Sequence, residues 1–344
     1  MRYLENTRTR NLAKPILSVA LCTYNGGRFL QEQLQSIARQ SRLPDELVVC
    51  DDRSTDNSIE IVKAFARQAP FPVRLELNPE NLGSTKNFEK AIGLCVGQIV
   101  ALADQDDVWF PEKLEVLDHT LGIHPDAGYA FSDARLVNEN GEPLGAGLWD
   151  SVRFREPARR NFTKPMMQVA LLLHRACATG ATMAFRAKLM SIFSPFSQCF
   201  VHDNWISLIA SCLGWYGVPI PRPLLHYRQH DGQQIGARRM SIRRKIDWAR
   251  TVGPAEYRRR TQGFVEVKER LLLAGKEGWI NLADDLTATH LAVIDDKIRH
   301  CRQRALAHST SGSMRMSRVF SEVMTGRYAR FSNSWLSVVE DLCL

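Results

Sequence analysis

The chain has 344 residues, 44% of them hydrophobic and 24% charged, enough for one large domain with an appendage or for two domains with sizeable cores. No apolar run approaches the roughly 18 residues that cross a bilayer, and none follows the basic opening MRYLENTRTRNLAKP, so neither a membrane span nor a secretory leader is expected. The net charge of +8 lies entirely from Arg238 onward, where 20 Lys and Arg face 12 Asp and Glu, which predicts two parts with different partners.

In chain order, ILSVALC (16–22) reads as a buried strand, and GRFLQEQLQSIARQS then carries Phe29, Leu30, Leu34 and Ile37 at helical spacing. ELVVCDD (46–52) is a second strand, and STDNSIEIVKAFARQ a helix with Ser54 or Thr55 placed to cap it. VRLELN (73–78) is a third strand, STKNFEKAIGLC a third helix and QIVALAD (98–104) a fourth strand. Pro111 is expected at the first position of the next helix, before a fifth strand GYAFSD (128–133). This alternation predicts an α/β fold with a mostly parallel sheet covered on both faces and ligands beyond the carboxyl ends of its strands. Residues 134–235 are less regular, with a helical WISLIASCLG (205–214), and from about 236 the pattern is helical only. There Leu291, Ile294, Ile298, Cys301 and Ala305 form one apolar stripe, and the stretch around 307–318 reads as a loop. Eight cysteines without a CxxC pair read as buried free thiols of a reducing cytoplasm.

Three loops align on one edge of this sheet: CTYNGG, CDDRSTDN and ADQDDVW. Neither GxGxxG nor GxxxxGK[ST] is present, which disfavours a Rossmann-type hydride enzyme or a P-loop NTPase. Asp52 is placed to accept the N3–H of a uracil or thymine, with Thr23 on the same base or ribose; alone, Asp52 reads equally well as a turn or cap residue. Asp104, Asp106 and Asp107 crowd into four positions, where like charges repel. A hard divalent cation, Mg or Mn, on Asp104 and Asp106 relieves that repulsion, with a nucleotide diphosphate completing its shell. Asp107 reads as a cap for the following helix. Lys86 reads as part of a solvated helix face or as a phosphate contact. Trp109 and Trp205 read as core residues.

The segments SVALCTYNGGRFLQEQLQSIARQS, DELVVCDDRSTDNS, NLGSTKNFEKAI, GQIVALADQDDVWFPEKLE and FSDARLV, in that order, resemble the inverting glycosyltransferases of family 2, and most of all those of the rhamnosyltransferase type that build bacterial surface polysaccharides. The resemblance covers residues 15–235 and implies the GT-A fold: a nucleotide-sugar-binding half (15–133) joined to an acceptor-binding half (134–235), after a tail (1–14) and before a basic helical region (236–344). It implies that Thr23, Asp52 and Asp104 bind the nucleoside part, that Asp104 and Asp106 are the DxD metal motif, and that Gly180 and Thr182 lie beside donor sugar and acceptor. In VHDNWISLIA, Asp203 matches the family's catalytic base, and His202 stands where an acidic neighbour is usual. The YRxH-like LLHYRQHDG implies, by the same resemblance, that His230 reaches the diphosphate or metal; alone, His230 reads equally well as a packing or capping residue.

The chemistry so implied is transfer of a sugar, rhamnose for example, from a dTDP- or UDP-sugar to a saccharide or lipid-linked oligosaccharide, with inversion and one catalytic carboxylate. Alternatives are a sugar-nucleotide nucleotidyltransferase, whose Gly-rich basic N-terminal loop is missing here, and a non-catalytic nucleotide- or sugar-binding protein. The basic helical region suits peripheral contact with the inner membrane face, or packing on the catalytic domain; no nucleic-acid-binding signature accompanies it.

Overall fold

The computed structural model describes residues 16–233 and 253–343, so the expected tail at 1–14 and the stretch 236–252 lie outside the described residues. Strands β1 (Leu17–Thr23), β2 (Glu46–Asp51), β3 (Val73–Leu77) and β4 (Ile99–Ala103) pair in parallel in the order β3-β2-β1-β4. Between them run helices α1 (Leu30–Ala38), α2 (Ser58–Ala66) and α3 (Ser84–Gly93). Alternate strand residues point to opposite faces, so Ala20, Val48 and Val100 join Phe88 and Ile92 of α3 in one core. Leu17, Val19 and Leu47 join Leu34 and Val62 of α1 and α2 in the other. Burial on both faces explains why these strands read as continuous apolar runs.

Past β4 the chain forms β5 (Val108–Trp109), α4 (Lys113–Ile123) and β6 (Ala127–Val137). Strand β7 (Pro143–Gly147) pairs with β6, and short helices α5 (Leu148–Ser151), α6 (Ala158–Phe162) and α7 (Pro165–His174) follow. Then come β8 (Met183–Arg186), α8 (Met190–Phe193), α9 (His202–Cys212) and β9 (Tyr216–Arg228). The sheet continues β4-β8-β6-β9-β5: β8 enters antiparallel to both neighbours, and β6 and β9 run parallel.

The remaining helices are α10 (Pro254–Lys276), α11 (Asp285–His308), α12 (Gly312–Met324), α13 (Arg327–Phe331) and α14 (Trp335–Cys343). The stripe on α11 is buried as its spacing predicts: Ile294, Ile298 and Cys301 share one core with Phe264 and Val267 of α10 and Ile206 of α9. The helical region therefore packs onto the α/β part. No helix among the described residues is long and apolar enough to cross a membrane.

Three local expectations are corrected. The stretch 307–318 is the end of α11 and the first half of α12, joined by three residues of which the first two still bond back, Ser309 N–H to Ala305 O (3.1 Å) and Thr310 N–H to Ala307 O (3.2 Å). Pro111 precedes α4 instead of starting it, because β5 pairs with β9 and Phe110 N–H bonds Leu224 O at 2.9 Å, holding the chain extended past Trp109. Neither Ser54 nor Thr55 caps α2, which starts at Ser58; Ser54 Oγ donates to Asp51 Oδ2 at 2.6 Å instead.

Candidate active site

The loops at the carboxyl ends of β1, β2 and β4 open with residues 176–180 and the start of α9 into a cavity of about 540 Å³. Side chains that sequence reading missed brace these loops. Asp51 accepts from Thr23 Oγ1 (2.7 Å) and Ser54 N–H (2.8 Å), tying the first two loops together. Gln105 accepts from Tyr24 N–H (2.8 Å) and donates to Tyr24 O (3.1 Å), clamping the first loop to the acidic one. Tyr24 itself stands 51% exposed on the cavity rim, an aromatic surface for a base or sugar that sequence reading passed over.

Asp52 is buried on the cavity wall and caps no helix. Its carboxylate accepts from Asn78 Nδ2 (2.8 Å), Leu82 N–H (2.7 Å) and Gly83 N–H (2.9 Å), pinning the loop ahead of α3. A carboxylate offers about four acceptor positions, so one remains for a ligand donor. Thr23 also lines the cavity, with its hydroxyl committed to Asp51.

A buried lysine that sequence reading missed lies near the acidic loop: burial pushes its pKa well below the ordinary value, against the opposing charges of Asp107 and Asp104. Lys113, fully buried in α4, donates from Nζ to Ala181 O at 2.5 Å and lies 3.4 Å from the centre of the Trp109 ring. Asp107 does not cap α4: it is buried, its Oδ1 accepts Arg228 N–H at 3.1 Å, and its Oδ2 has no partner among the described residues. Burial, with Asp106 and Asp104 nearby, pushes its carboxyl well above the ordinary range. Arg228 further supports the loop by donating from Nε to Asp106 O at 2.8 Å. Asp106 Oδ2 meets His230 Nε2 at 2.8 Å, so His230 touches the loop through that carboxylate.

Asp104 lies half-buried on the cavity wall, and among the described residues no hydrogen bond reaches its carboxylate. Burial first, then the charges of Asp106 and Asp203, push its carboxyl up to about 7. Four carboxylates, Asp52, Asp104, Asp106 and Asp203, line the cavity, and no Lys or Arg does among the described residues. No group of three His, Cys, Asp or Glu stands ready around one point among those residues. A divalent cation held here would need further oxygens from its ligand. The hard oxygen donors of Asp104 and Asp106 fit that role, with His230 orienting the second carboxylate.

Across the cavity, Asp203 sits in the first turn of α9, two residues past the position where a cap belongs, which Val201 occupies. Its Oδ2 accepts Gly180 N–H at 2.8 Å and its Oδ1 accepts Asn204 N–H at 2.6 Å, so the carboxylate is fixed by backbone donors. Gly180 is required by space: a Cβ there would stand 2.7 Å from His202 Nε2 and 3.4 Å from Asp203 Cβ. Thr182 is fully buried, bonded to Thr179 O at 2.7 Å, and faces away from the cavity, whose wall is formed by Thr179 and Gly180. His202 stacks on Phe88, ring centres 3.9 Å apart, and both its ring nitrogens lack partners among the described residues. Burial holds its pKa below the ordinary value, so a neutral ring stands beside Asp203.

The remaining candidates are structural. Lys86 Nζ bonds Glu89 Oε2 (2.7 Å) and Phe196 O (2.8 Å). Trp109 and Trp205 are buried, the latter bonding Phe193 O through Nε1 at 2.7 Å. Of the described cysteines, all are free, and Cys50, Cys177, Cys212 and Cys301 are buried.

A sequence model of glycosyl transferase family 2 matches residues 18–189, half of the chain. An uncharacterised Mycobacterium tuberculosis protein is 31% identical over 215 residues, which cover 55% of this chain and 61% of that protein. The chain thus spans about three fifths of the length of the first curated relatives it matches. The dTDP-rhamnosyl transferase RfbG of Shigella flexneri is 24% identical over 231 residues, 63% of this chain and 74% of that one. Among solved structures, S. aureus TarS in complex with UDP-GlcNAc aligns with a TM-score of 0.56 at 18% identity, over 85% of this chain and 79% of that one. The mannosyltransferase PcManGT of Pyrobaculum calidifontis, in complex with GDP-Man and Mn2+, aligns with a TM-score of 0.50 at 16% identity, over 96% and 86%. The structural likenesses show the fold, an α/β fold of the GT-A kind. Together with the ordered acidic loops, the family match shows that this chain belongs to glycosyl transferase family 2.

Proposed function

We propose that this chain is a metal-dependent, inverting glycosyltransferase that moves a sugar from a dTDP- or UDP-sugar to a hydroxyl of a saccharide or lipid-linked oligosaccharide. The observation that carries this reading is one cavity lined by Asp52, Asp104, Asp106 and Asp203 without a lysine or arginine among the described residues. A diphosphate entering an anionic cavity needs its charge balanced. A divalent ion on Asp104 and Asp106 would supply that balance and, as a Lewis acid, stabilise the charge on the departing diphosphate. Asp52 is assigned to the pyrimidine ring of the nucleotide, Thr23 to the same ring or its ribose, and residues 15–133 to the donor half. Residues 134–235 are assigned to the acceptor.

Asp203 is the proposed base: one carboxylate held by Gly180 and Asn204 amides, taking the acceptor's proton as its oxygen attacks the anomeric carbon opposite the diphosphate. One such carboxylate suffices for inversion, the stereochemistry that family 2 membership carries. Rhamnose is the sugar proposed first, on the likeness to RfbG.

Calorimetry with UDP, dTDP, GDP and CMP, with and without Mn2+, tests the donor site. One pyrimidine diphosphate is expected to bind only with metal, and Asp106→Ala to weaken it by about 10-fold to 100-fold. Binding that ignores both metal and mutation would falsify this reading. Gly180→Ala crowds the His202 ring and approaches the Asp203 side chain, whose carboxylate the Gly180 amide holds. Turnover is expected to fall by about 100-fold while nucleotide affinity, read by the same calorimetry, stays unchanged; a fully active variant removes Gly180 from the base's support.

A further inference from the structure

Helices α7, α10, α11, α13 and α14 meet around a second cavity, of about 150 Å³, which shares no lining residue with the active site. It is smaller than the roughly 300 Å³ at which pockets for drug-sized ligands begin. It still holds a group several times the size of a water molecule. Its wall is basic: Arg260 of α10 and Lys297 and Arg304 of α11 line it, and Glu340 of α14 is the one carboxylate among the described lining residues.

These charges are not equally matched. Arg304 is neutralised, donating from Nε and Nη2 to the two oxygens of Asp341 at 2.6 Å each, with Glu340 3.7 Å from the same Nη2. Arg260 shares Glu256 with Arg259, one carboxylate between two guanidiniums, and only its Nε is bonded among the described residues. Lys297 has no counter-charge there at all. It is 8% exposed, and its ammonium, with three protons to donate, bonds a single described acceptor, Phe331 O, at 2.9 Å. The rings of Phe264 and Phe331 flank it at 5.2 and 5.5 Å. Burial first, then the charges of Arg260 and Arg304, pull its pKa down to about 8, which leaves it a cation at pH 7. The same field reaches His174 of α7, where burial, Arg175 and Lys297 lower the pKa to about 4.

A buried cation without a counter-charge is costly. Phe331 and Ser332 line the cavity, so the bonded end of Lys297 lies at its wall. Ser337, buried in α14, accepts Asn333 N–H at 3.2 Å, and no described acceptor takes its own hydroxyl proton. An ammonium, a guanidinium and a hydroxyl with protons to spare around one small space suit an anion with several oxygens. A cation would be repelled, and a neutral ligand would leave the charge unmatched.

We propose that this cavity binds a small oxyanion, a phosphate group or one of its size, with Lys297 as the buried counter-charge and Arg260 and Ser337 as further donors. The inference does not depend on the transferase reading. His174 closes α7 two residues before Ala176 on the active-site wall, so the anion would lie where the helical region meets the chain leading to Gly180.

The test is calorimetry and thermal melting of the full chain with sodium phosphate, against sodium chloride at matched ionic strength, without metal or nucleotide. The active-site cavity, with four carboxylates and no described Lys or Arg, offers phosphate no rival site under these conditions. Phosphate is expected to raise the melting temperature beyond the effect of chloride, since it binds the folded state. Lys297→Met is expected to weaken phosphate by at least about 10-fold, and Arg260→Gln, a change at a half-buried position, by roughly 3-fold to 10-fold. A cooperative melt shows that each variant is folded, and Arg260→Gln carries the test if Lys297→Met does not fold. Glycerol 3-phosphate separates the sources: binding of both ligands assigns the cavity to a phosphate ester, binding of phosphate alone to the free ion, and each supports the proposal. A response to phosphate no larger than that to chloride overturns it. So does phosphate binding that the folded variants leave unchanged, which would place the anion elsewhere in the chain.

Discussion

Asp203→Asn is expected to lower sugar transfer by roughly a thousandfold while leaving metal-dependent nucleotide binding within about twofold. The substitution preserves volume, and the amide oxygen can still accept Gly180 N–H, so the turn around residue 180 has no reason to move. What disappears is the proton acceptor. The amide nitrogen would also point a donor at Asn204 N–H, which now gives its hydrogen to Asp203 Oδ1 at 2.6 Å. That mismatch is local and is expected to cost about 1 kcal/mol of stability. Separate readouts divide the outcomes: single-turnover transfer reports the base, and calorimetry with a nucleoside diphosphate reports the donor site. Transfer unchanged in the Asn variant would leave Asp203 a brace for Gly180 and move the base elsewhere. Loss of both readings would point to a collapsed cavity, which a shifted thermal melt would expose.

His202 bears on the same experiment. A neutral imidazole stacked on Phe88 puts no negative charge beside Asp203, where an acidic neighbour would. An adjacent carboxylate raises the pKa of its partner by repulsion. With histidine at 202, the carboxylate whose charge Asp203 shares the cavity with is Asp104 instead, and Asp203 is one of the charges that push the Asp104 carboxyl up.

The parallel strands were legible because burial on both faces leaves little room for polar residues, and LVVC or IVALA can hardly be anything else. The three acidic or polar loops were legible for a related reason: a carboxylate at the end of such a run stands at the sheet edge where ligands bind. What the sequence hid was long-range pairing. Asp107 reads locally as a helix cap, but its partner is the Arg228 amide 121 residues away. Lys113 reads as one more charge on an amphipathic helix, and only its bond to Ala181 O, 68 residues on, shows it to be buried beside the residues that wall the cavity. Strand β8 has four residues between two 3-10 turns, too short to carry a period, and it enters the sheet only because β4 and β6 leave an antiparallel slot. The beginning of α12 was hidden by Ser and Gly, which favour turns in isolation; packing of Val319 against Ala307 overrides that preference.

Asp104→Asn is expected to separate stability from function, raising one while lowering the other. The Asp104 carboxyl, at 3.8 in its ordinary state, is pushed up to about 7 by burial and by Asp106 and Asp203. Between these values the folded protein holds a proton that the unfolded chain has released, so the metal-free protein loses stability as pH rises through that window. Above it the ionised carboxylate carries its full penalty. Asparagine has no charge to bury, so at pH 8 the metal-free variant is expected to be more stable by about 2 kcal/mol, discounted for the water that reaches the cavity. Toward pH 4 the difference should vanish, because Asp104 is then protonated in the folded protein. Manganese is expected to reverse the order: it stabilises the parent by binding the folded state, and loss of a charged oxygen ligand weakens that effect, along with nucleotide affinity, by about 10-fold or more. Thermal melts of both proteins at pH 5 and pH 8, with and without Mn2+, give the four comparisons. A variant equally stable at pH 8, or equally stabilised by Mn2+, would show that Asp104 is comfortable without a cation, and the repulsion in ADQDD would then need another purpose.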